Sequence, residues 1–381
     1  MECLATEELS RLIERVFRPG PDDRALAILI DLPDTALPDR EGWRARRVMA
    51  AGWARELAAA HSTLGLEIGL FGYRNVRANN AELPDNAWRV DPDRLPATAD
   101  ELDERWSLPF EEVLAAHRLV MAPTELSATA PLKRLAPELG FRAATMPGFT
   151  AAMVPALRLD YDEVDRRVRL LKGLLDRAEA ADLLFLVDGG RSVDLHLDLR
   201  HRTAHASSGL LHEPGTAGNL PSGEAYIVPY EGEQGEASGS AGTLPVEIGG
   251  EVVLFTIRAN RAVKVKGRGP AARAERAHLA AEPAYGNMAE LGFGVLGDFG
   301  LEPINEILLD EKLGLHVAFG RSDHFGGAVG PKDFSAPAAV IHLDRIYIPQ
   351  AQPRIAVRSV TLGYPGGRAE TIIEDGAYLI F

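Results

Sequence analysis

The 381-residue chain contains a single cysteine, Cys3, and that scarcity excludes two chemistries at once. No intrachain disulfide can form, and no thiolate cluster can hold a metal. Lysine is also scarce, at six residues, in a chain of formal net charge -14. Without a lysine-rich stripe, that balance argues against nucleic acid and against an anionic membrane surface. Long apolar runs are missing as well. The longest, "ALAILI" and "LLFLV", have the length of a strand and are too short to span a bilayer. The opening "MECLATEELSRLIERVF" lacks the basic start and apolar core of a signal peptide, so a cytoplasmic location is expected. Instead it sets Leu9, Leu12, Ile13, Val16 and Phe17 on one face of a docking helix.

What is present is ordinary for a globular chain: 46% hydrophobic and 25% charged residues. The length exceeds what one core usually serves, so two domains are expected. The first half alternates apolar strands ("RALAILIDLP", "LEIGLFGY", "HRLVMAP", "FRAATMPG") with amphipathic helices ("WRARRVMAAGWARELAAA", "TAPLKRLAPELG", "YDEVDRRVRLLKGLLDRAEA"). This rhythm predicts an α/β domain with a mostly parallel sheet over residues 1–182. The polar stretch from Asn75 to about Arg105 reads as a surface excursion. Beyond Asp182 the pattern becomes strands parted by Gly, Pro and polar turns. A predominantly β (α+β) domain is therefore expected over 183–381, with the boundary near 178–186.

The tripeptide His-Leu-Asp occurs twice. Residues two apart on a strand share a face, so His196 with Asp198, or His342 with Asp344, could present an imidazole and a carboxylate together. In "VDLHLDL" the alternation is clean: Val193, Leu195, Leu197 and Leu199 on one face, Asp194, His196 and Asp198 on the other. That describes a half-buried strand with a wet polar side. "AVIHLDRIYI" is apolar on both faces, so this strand is expected to be buried. A buried histidine beside a carboxylate needs a partner, and either an internal hydrogen bond or a metal would serve.

The same domain isolates other candidates. "LGLHVAFG" sets His316 in an apolar strand, and "GNLPSGEAYIVP" starts a strand on Glu224. "GNMAELGFGVLG" places Glu290 among small and apolar residues, and "ILLDEKLGLH" delivers Asp310 and Glu311. Each has a plain alternative as a capping acid or ion-pair partner. Together they make a carboxylate and imidazole set suited to Zn, Co, Mn or Fe(II), with carboxylates available to bridge a metal pair. The Gly-x-Gly-x-x-Ala in "VKVKGRGPAARAERA" is a weak dinucleotide fingerprint, and no parallel strand follows its helix.

Four ordered segments, "GNLPSGEAYIVP", "NMAELGFGVLG", "EILLDEKLGLHVAFG" and "IHLD", resemble the thermophilic metalloaminopeptidase family, the aminopeptidase T-like enzymes. "ATMPGFTAAM" extends the likeness, which covers roughly Arg142 to Pro349 well and the first domain loosely. The resemblance implies an α/β domain before a catalytic domain with two divalent metal ions, and a homodimer. The apolar tail "GAYLIF" agrees with a dimer. Carried over by motif, Glu224, Glu290, His316, His342 and Asp344 would be metal ligands, with Glu311 a sixth candidate; His196 matches no family ligand. There are departures. The family's catalytic tyrosine, seven residues past the first histidine, is replaced by Asp323, which His324 follows. The link from Asp-Glu-Lys to that histidine is also about two residues short. A related branch resembles 2,5-dihydroxypyridine dioxygenase and uses one Fe(II); the retained Glu224 and Glu290 favour the two-metal hydrolase.

The expected function is thus an aminopeptidase acting on peptides, with Glu311 or Glu224 moving the proton and His324 or Asp323 standing in for the tyrosine. The alternatives are the Fe(II) dioxygenase and a catalytically silent descendant that binds a peptide or small molecule.

Overall fold

The computed structural model describes residues 4–381. Cys3 lies outside them. By their contacts the residues form two units. One runs through Asp165 and takes in Ser207–Ser222 and Glu306–Leu309; the other holds Arg166–Ala206, Gly223–Asn305 and Asp310–Phe381. The parting after Asp165 falls inside helix Tyr161–Leu175, earlier in the chain than the boundary read from the sequence.

The first unit is built on β1 (Ala25–Leu32), β2 (Glu67–Arg74), β3 (Asn86–Arg89), β4 (Ser107–Pro109), β5 (Leu119–Ala122) and β6 (Arg142–Thr145). β1 pairs in parallel with β2 and β5, and β5 with β6. A central parallel strand is covered on both faces, which is why β1 is apolar almost throughout and buried at every position. Helix Glu41–Ala59 packs on β1 and β2. Helix Thr129–Leu139 ends where Gly140, at φ 74°, adopts the left-handed conformation that closes a helix. The polar stretch after Asn75 is more ordered than its composition suggests. It supplies β3 and β4, an antiparallel edge that carries the sheet past β2. Asp31 interrupts the apolar run of β1 and is buried. Its carboxylate accepts hydrogen bonds from the Trp43 indole at 3.0 Å and from the backbone of Glu125 and Leu126 at 2.7 and 2.9 Å.

In the second unit β7 (Ala180–Val187) and β8 (Arg191–Asp198) form a hairpin, and β9 (His205–Ser207) follows. β10 (Ala217–Asn219) belongs to the first unit, parallel to β6. The next strands are β11 (Glu224–Ile227), β12 (Ala241–Ile248), β13 (Glu251–Arg258), β14 (Arg261–Lys266), β15 (Met288–Gly294), β16 (Leu315–Gly320), β17 (His342–Ile346), β18 (Ile355–Gly363), β19 (Ala369–Glu374) and β20 (Ala377–Tyr378). They complete an eight-stranded sheet, β14-β13-β12-β8-β7-β18-β19-β20, and a five-stranded sheet, β17-β16-β15-β11-β9. The two sheets meet through Phe255 against Phe319, ring centroids 4.9 Å apart, and Phe185 against Tyr347, 4.8 Å apart. The strand β14 and helix Pro270–Ala281 that carry Gly-x-Gly-x-x-Ala lead into antiparallel strands, so no nucleotide-binding βαβ unit exists there.

Two expectations need correction. β17 is not buried on both faces. It is an edge strand, partly buried along its length, because among the described strands only β16 pairs with it. Asp198 is not on a wet face: its side chain is 3% exposed, held by Arg200 and by the Gly239 amide. His196 is solvated as its pattern suggests, 43% exposed and paired with Asp182 at 2.7 Å. In the tail, Phe381 lies against the Arg167 guanidinium and the Tyr378 ring, which leaves Leu379 as the exposed apolar residue. Among the described residues no helix is long and apolar enough to cross a membrane.

Candidate metal centre

Strand register gathers the candidates. Glu224 pairs across from Gly294, Tyr226 from Gly292, and Gly292 in turn from His316. Glu290 pairs across from Ala318, Ala318 from Asp344, and Gly320 from His342. Directly paired residues project to the same face, as do residues two apart along a strand. One face of the five-stranded sheet therefore carries Glu224 and Tyr226 on β11, Glu290 on β15, His316 on β16, and His342 and Asp344 on β17. The positions between them are Gly292, Gly294, Ala318 and Gly320. Small residues are required here. A Cβ on Gly292 would collide with the His316 imidazole, and one on Gly294 with the backbone of Lys312.

The donors form two overlapping triads, Glu224–Glu290–His316 and Glu290–His342–Asp344, each with its ligand atoms within 4.8 Å of one another. Glu290 belongs to both. Its Oε1 lies 3.2 Å from His316 Nε2 and its Oε2 lies 3.3 Å from His342 Nε2. Glu224 Oε2 is 3.5 Å from His316 Nε2, and Asp344 Oδ1 is 3.4 Å from His342 Nε2. Both imidazoles are oriented from behind. Nδ1 of His342 faces the carbonyl of Arg321 at 2.8 Å, and Nδ1 of His316 faces that of Gly314 at 3.2 Å. A carbonyl accepts only from N–H, so each Nδ1 carries a proton and Nε2 faces the carboxylates, where a metal could take the place of its proton.

Charge gives a second test of fit. Four carboxylates, Glu224, Glu290, Glu311 and Asp344, serve this site, and Lys312, whose side chain is 1% exposed, pairs with two of them, Glu224 and Glu311. Lys312 Nζ donates to Glu224 Oε1 at 2.5 Å and also to Glu311. Glu224 Oε2 is fully buried with no hydrogen-bond partner. A buried carboxylate oxygen without a donor is costly, and a cation is the partner that its surroundings call for. The titration behaviour reports the same excess of negative charge. Burial lowers the His316 pKa, yet the bond to Glu290 and the charges of Glu224, Glu290 and Asp344 overcome it and raise the value to about 9. Burial, with the Glu224 and Asp344 charges, pushes Glu311 up to about 8 against the opposing pull of Lys312. The donor set of imidazole and carboxylate, without sulfur, suits a borderline or hard divalent cation.

The remaining sequence candidates lie at the margin. Asp323 is a third exposed and bound to Arg321 Nε at 2.5 Å. His324 lies against His342, ring centroids 5.5 Å apart, and burial followed by the positive charges of His342 and Arg321 depresses it to about 4. Glu311 stands beside the first triad through its bond to Lys312. Two residues of the site are not marked by the sequence reading, Lys312 and Tyr226. Tyr226 follows Glu224 by two and so shares its face, a signal that strand alternation already contains. Burial first, then the charges of Glu290, Glu224 and Glu311, hold its phenol well above the ordinary value.

No family profile matches this sequence, and no curated protein does. Solved structures do. The chain superposes on 2,5-dihydroxypyridine dioxygenase from Pseudomonas putida KT2440 with a TM-score of 0.61 at 16% identity, covering 99% of each chain. It superposes on wild-type AmpT from Thermus thermophilus with a TM-score of 0.54 at 15% identity, covering 98% of this chain and 99% of the other. At such identities the likeness shows a shared mixed α/β fold over the whole chain.

Proposed function

We propose that this protein is a metal-dependent hydrolase that removes N-terminal residues from peptides and uses two divalent cations, Zn, Co or Mn. One observation carries the reading: the two triads share Glu290, which offers one oxygen to each. A bridging carboxylate is what a pair of cations needs and what a single iron does not. The aminopeptidase T-like resemblance of the four sequence segments, and the AmpT fold likeness, support the same choice.

Glu224 and His316 would hold one cation, His342 and Asp344 the other, with Glu290 between them. When bound, the ions supply Lewis acidity that acidifies water and polarises a carbonyl. The protein's own residues do the rest. The Arg321 and Gly314 carbonyls fix the imidazoles, so the donor atoms are in place before substrate arrives. Lys312 holds one oxygen of Glu311, and in its ionised form, which bound cations would favour, that carboxyl would take a proton from water and return it to the leaving amine. His324, beside His342, would donate to the substrate carbonyl.

A second reading, an Fe(II) ring-cleaving dioxygenase, is favoured by the fold likeness to the dioxygenase and by Asp323 in the place of the family tyrosine. Metal analysis combined with an aminoacyl-anilide assay separates the two. About two equivalents of Zn, Co or Mn with turnover supports the hydrolase. One iron with oxygen uptake supports the dioxygenase, and neither result points to a silent binding protein.

A further inference from the structure

Tyr226 has a hydroxyl without a task. The residue is 7% exposed, yet its hydroxyl makes no hydrogen bond to any described residue. The ring is buried, but the hydroxyl oxygen is not among the fully buried unpartnered atoms, so it reaches accessible space and is free to meet a ligand. The side chain stands on the donor face two residues from Glu224. Only Gly292, which has no side chain, separates it from His316 in the same cross-strand row. Its phenol lies in the field of Glu290, Glu224 and Glu311. The ring is clamped as well. His205 stacks on it with centroids 5.1 Å apart and 19° between planes, and Phe325 meets it edge-on at 4.8 Å. His205 Nε2 is tied in turn to the Phe325 carbonyl at 2.9 Å, so the clamp is itself braced.

We propose that the Tyr226 hydroxyl is a hydrogen-bond donor for an anionic oxygen of a ligand held at the metal centre. It is thus a catalytic residue that the sequence motifs do not mark. The proposal rests on the metal-centre reading and stands for either a hydrolase or a dioxygenase. The surrounding carboxylates are acceptors that compete for cations. In this row the neutral O–H is the group suited to an oxygen that gains negative charge, and a fixed donor of this kind costs no reorganisation during reaction. Among the described residues the O–H has no partner, which leaves it available to a ligand oxygen.

The test compares wild type with Tyr226→Phe, which removes the hydroxyl and keeps the ring between His205 and Phe325. Both proteins are loaded with Zn, and metal content, melting temperature and binding of two probes are measured. Acetohydroxamate presents an anionic oxygen to a metal; imidazole is a metal-binding probe without one. The expected result is full metal content and unchanged melting in Tyr226→Phe, with acetohydroxamate bound about tenfold more weakly or worse and imidazole bound equally. If wild type also hydrolyses an aminoacyl anilide, kcat falls in the variant while KM holds. Equal acetohydroxamate affinity in two fully loaded proteins overturns the donor role alone. Parallel weakening of both probes also overturns it, because that marks a packing effect. Wild type that takes up no metal overturns the metal-centre reading and this proposal with it. Loaded protein with the expected probe difference but no anilide turnover leaves Tyr226 as the donor and rejects only the peptidase.

Discussion

Lys312 Nζ lies 2.5 Å from Glu224 Oε1, while Oε2 of the same carboxylate is buried without a hydrogen-bond partner, 3.5 Å from His316 Nε2. One carboxylate thus faces a resident cation on one side and an open donor position on the other. The resident charge must weaken the attraction of that position for a metal, and it must also stabilise the metal-free fold. Lys312→Met separates the two effects. Removing one partner of a buried ion pair costs about 3–5 kcal/mol, because the other charge stays behind. Melting in chelator should therefore drop steeply. With Zn present the loss should be smaller, and competition against a chromophoric chelator should show tighter metal binding than in wild type. Weaker binding by a folded variant would mean that Lys312 supports the site.

Glu290 offers a stoichiometric test of the two-cation reading. If it bridges, Glu290→Gln should deplete both positions, whereas Glu224→Gln should retain about one equivalent on Glu290, His342 and Asp344. Loss of a supporting partner alone typically costs about 10–100-fold in metal affinity, and a direct ligand should cost at least that. Atomic emission on desalted protein reads the result directly. Equal retention in both variants would contradict a shared carboxylate.

The two His-Leu-Asp copies should behave in opposite ways. His342→Ala or Asp344→Asn should strip at least one metal and abolish turnover with the fold kept. His196→Ala should change neither, because its 43% exposed imidazole holds only Asp182 and exposed substitutions shift stability by no more than about 0.5 kcal/mol. In the same assay His324→Ala should lower kcat far more than metal content. The reverse pattern, with His196 essential and His342 dispensable, would reject the site.

Local pattern carried much of this. The apolar run of β1, the alternation through Val193, Leu195 and Leu197, and the isolation of Glu290 among small residues are properties of adjacent residues, and each survives in the fold. What stayed hidden depends on distant partners. β17 reads as buried because its residues are apolar, but edge position is set by which strands fail to pair with it. Asp198 reads as solvated because its strand alternates. It is buried because Gly239 and Ser240 reach it from a remote loop. Lys312 could not be aimed from sequence, since its direction follows from where its backbone passes Gly294.

The last prediction concerns Asp31, in the first unit. Three hydrogen bonds favour its ionised form, yet burial outweighs them and raises the pKa from 3.8 to about 6. The folded value exceeds the unfolded one, so the folded state holds this proton more tightly. Its contribution to stability is fully present below about pH 4 and is lost as pH rises through about 6. A shift of roughly two units corresponds to about 3 kcal/mol. Asp31→Asn cannot titrate, and its amide must place an N–H against one of the donors at Glu125, Leu126 or Trp43, so a pH-independent penalty is expected as well. The diagnostic quantity is the difference in unfolding free energy, wild type minus variant, from urea melts between about pH 4 and pH 7. That difference should shrink as pH rises across the window, because only wild type loses the proton. A difference that stays flat, or grows with pH, would show that Asp31 is already ionised in the folded protein at low pH and that its three donors prevail over burial.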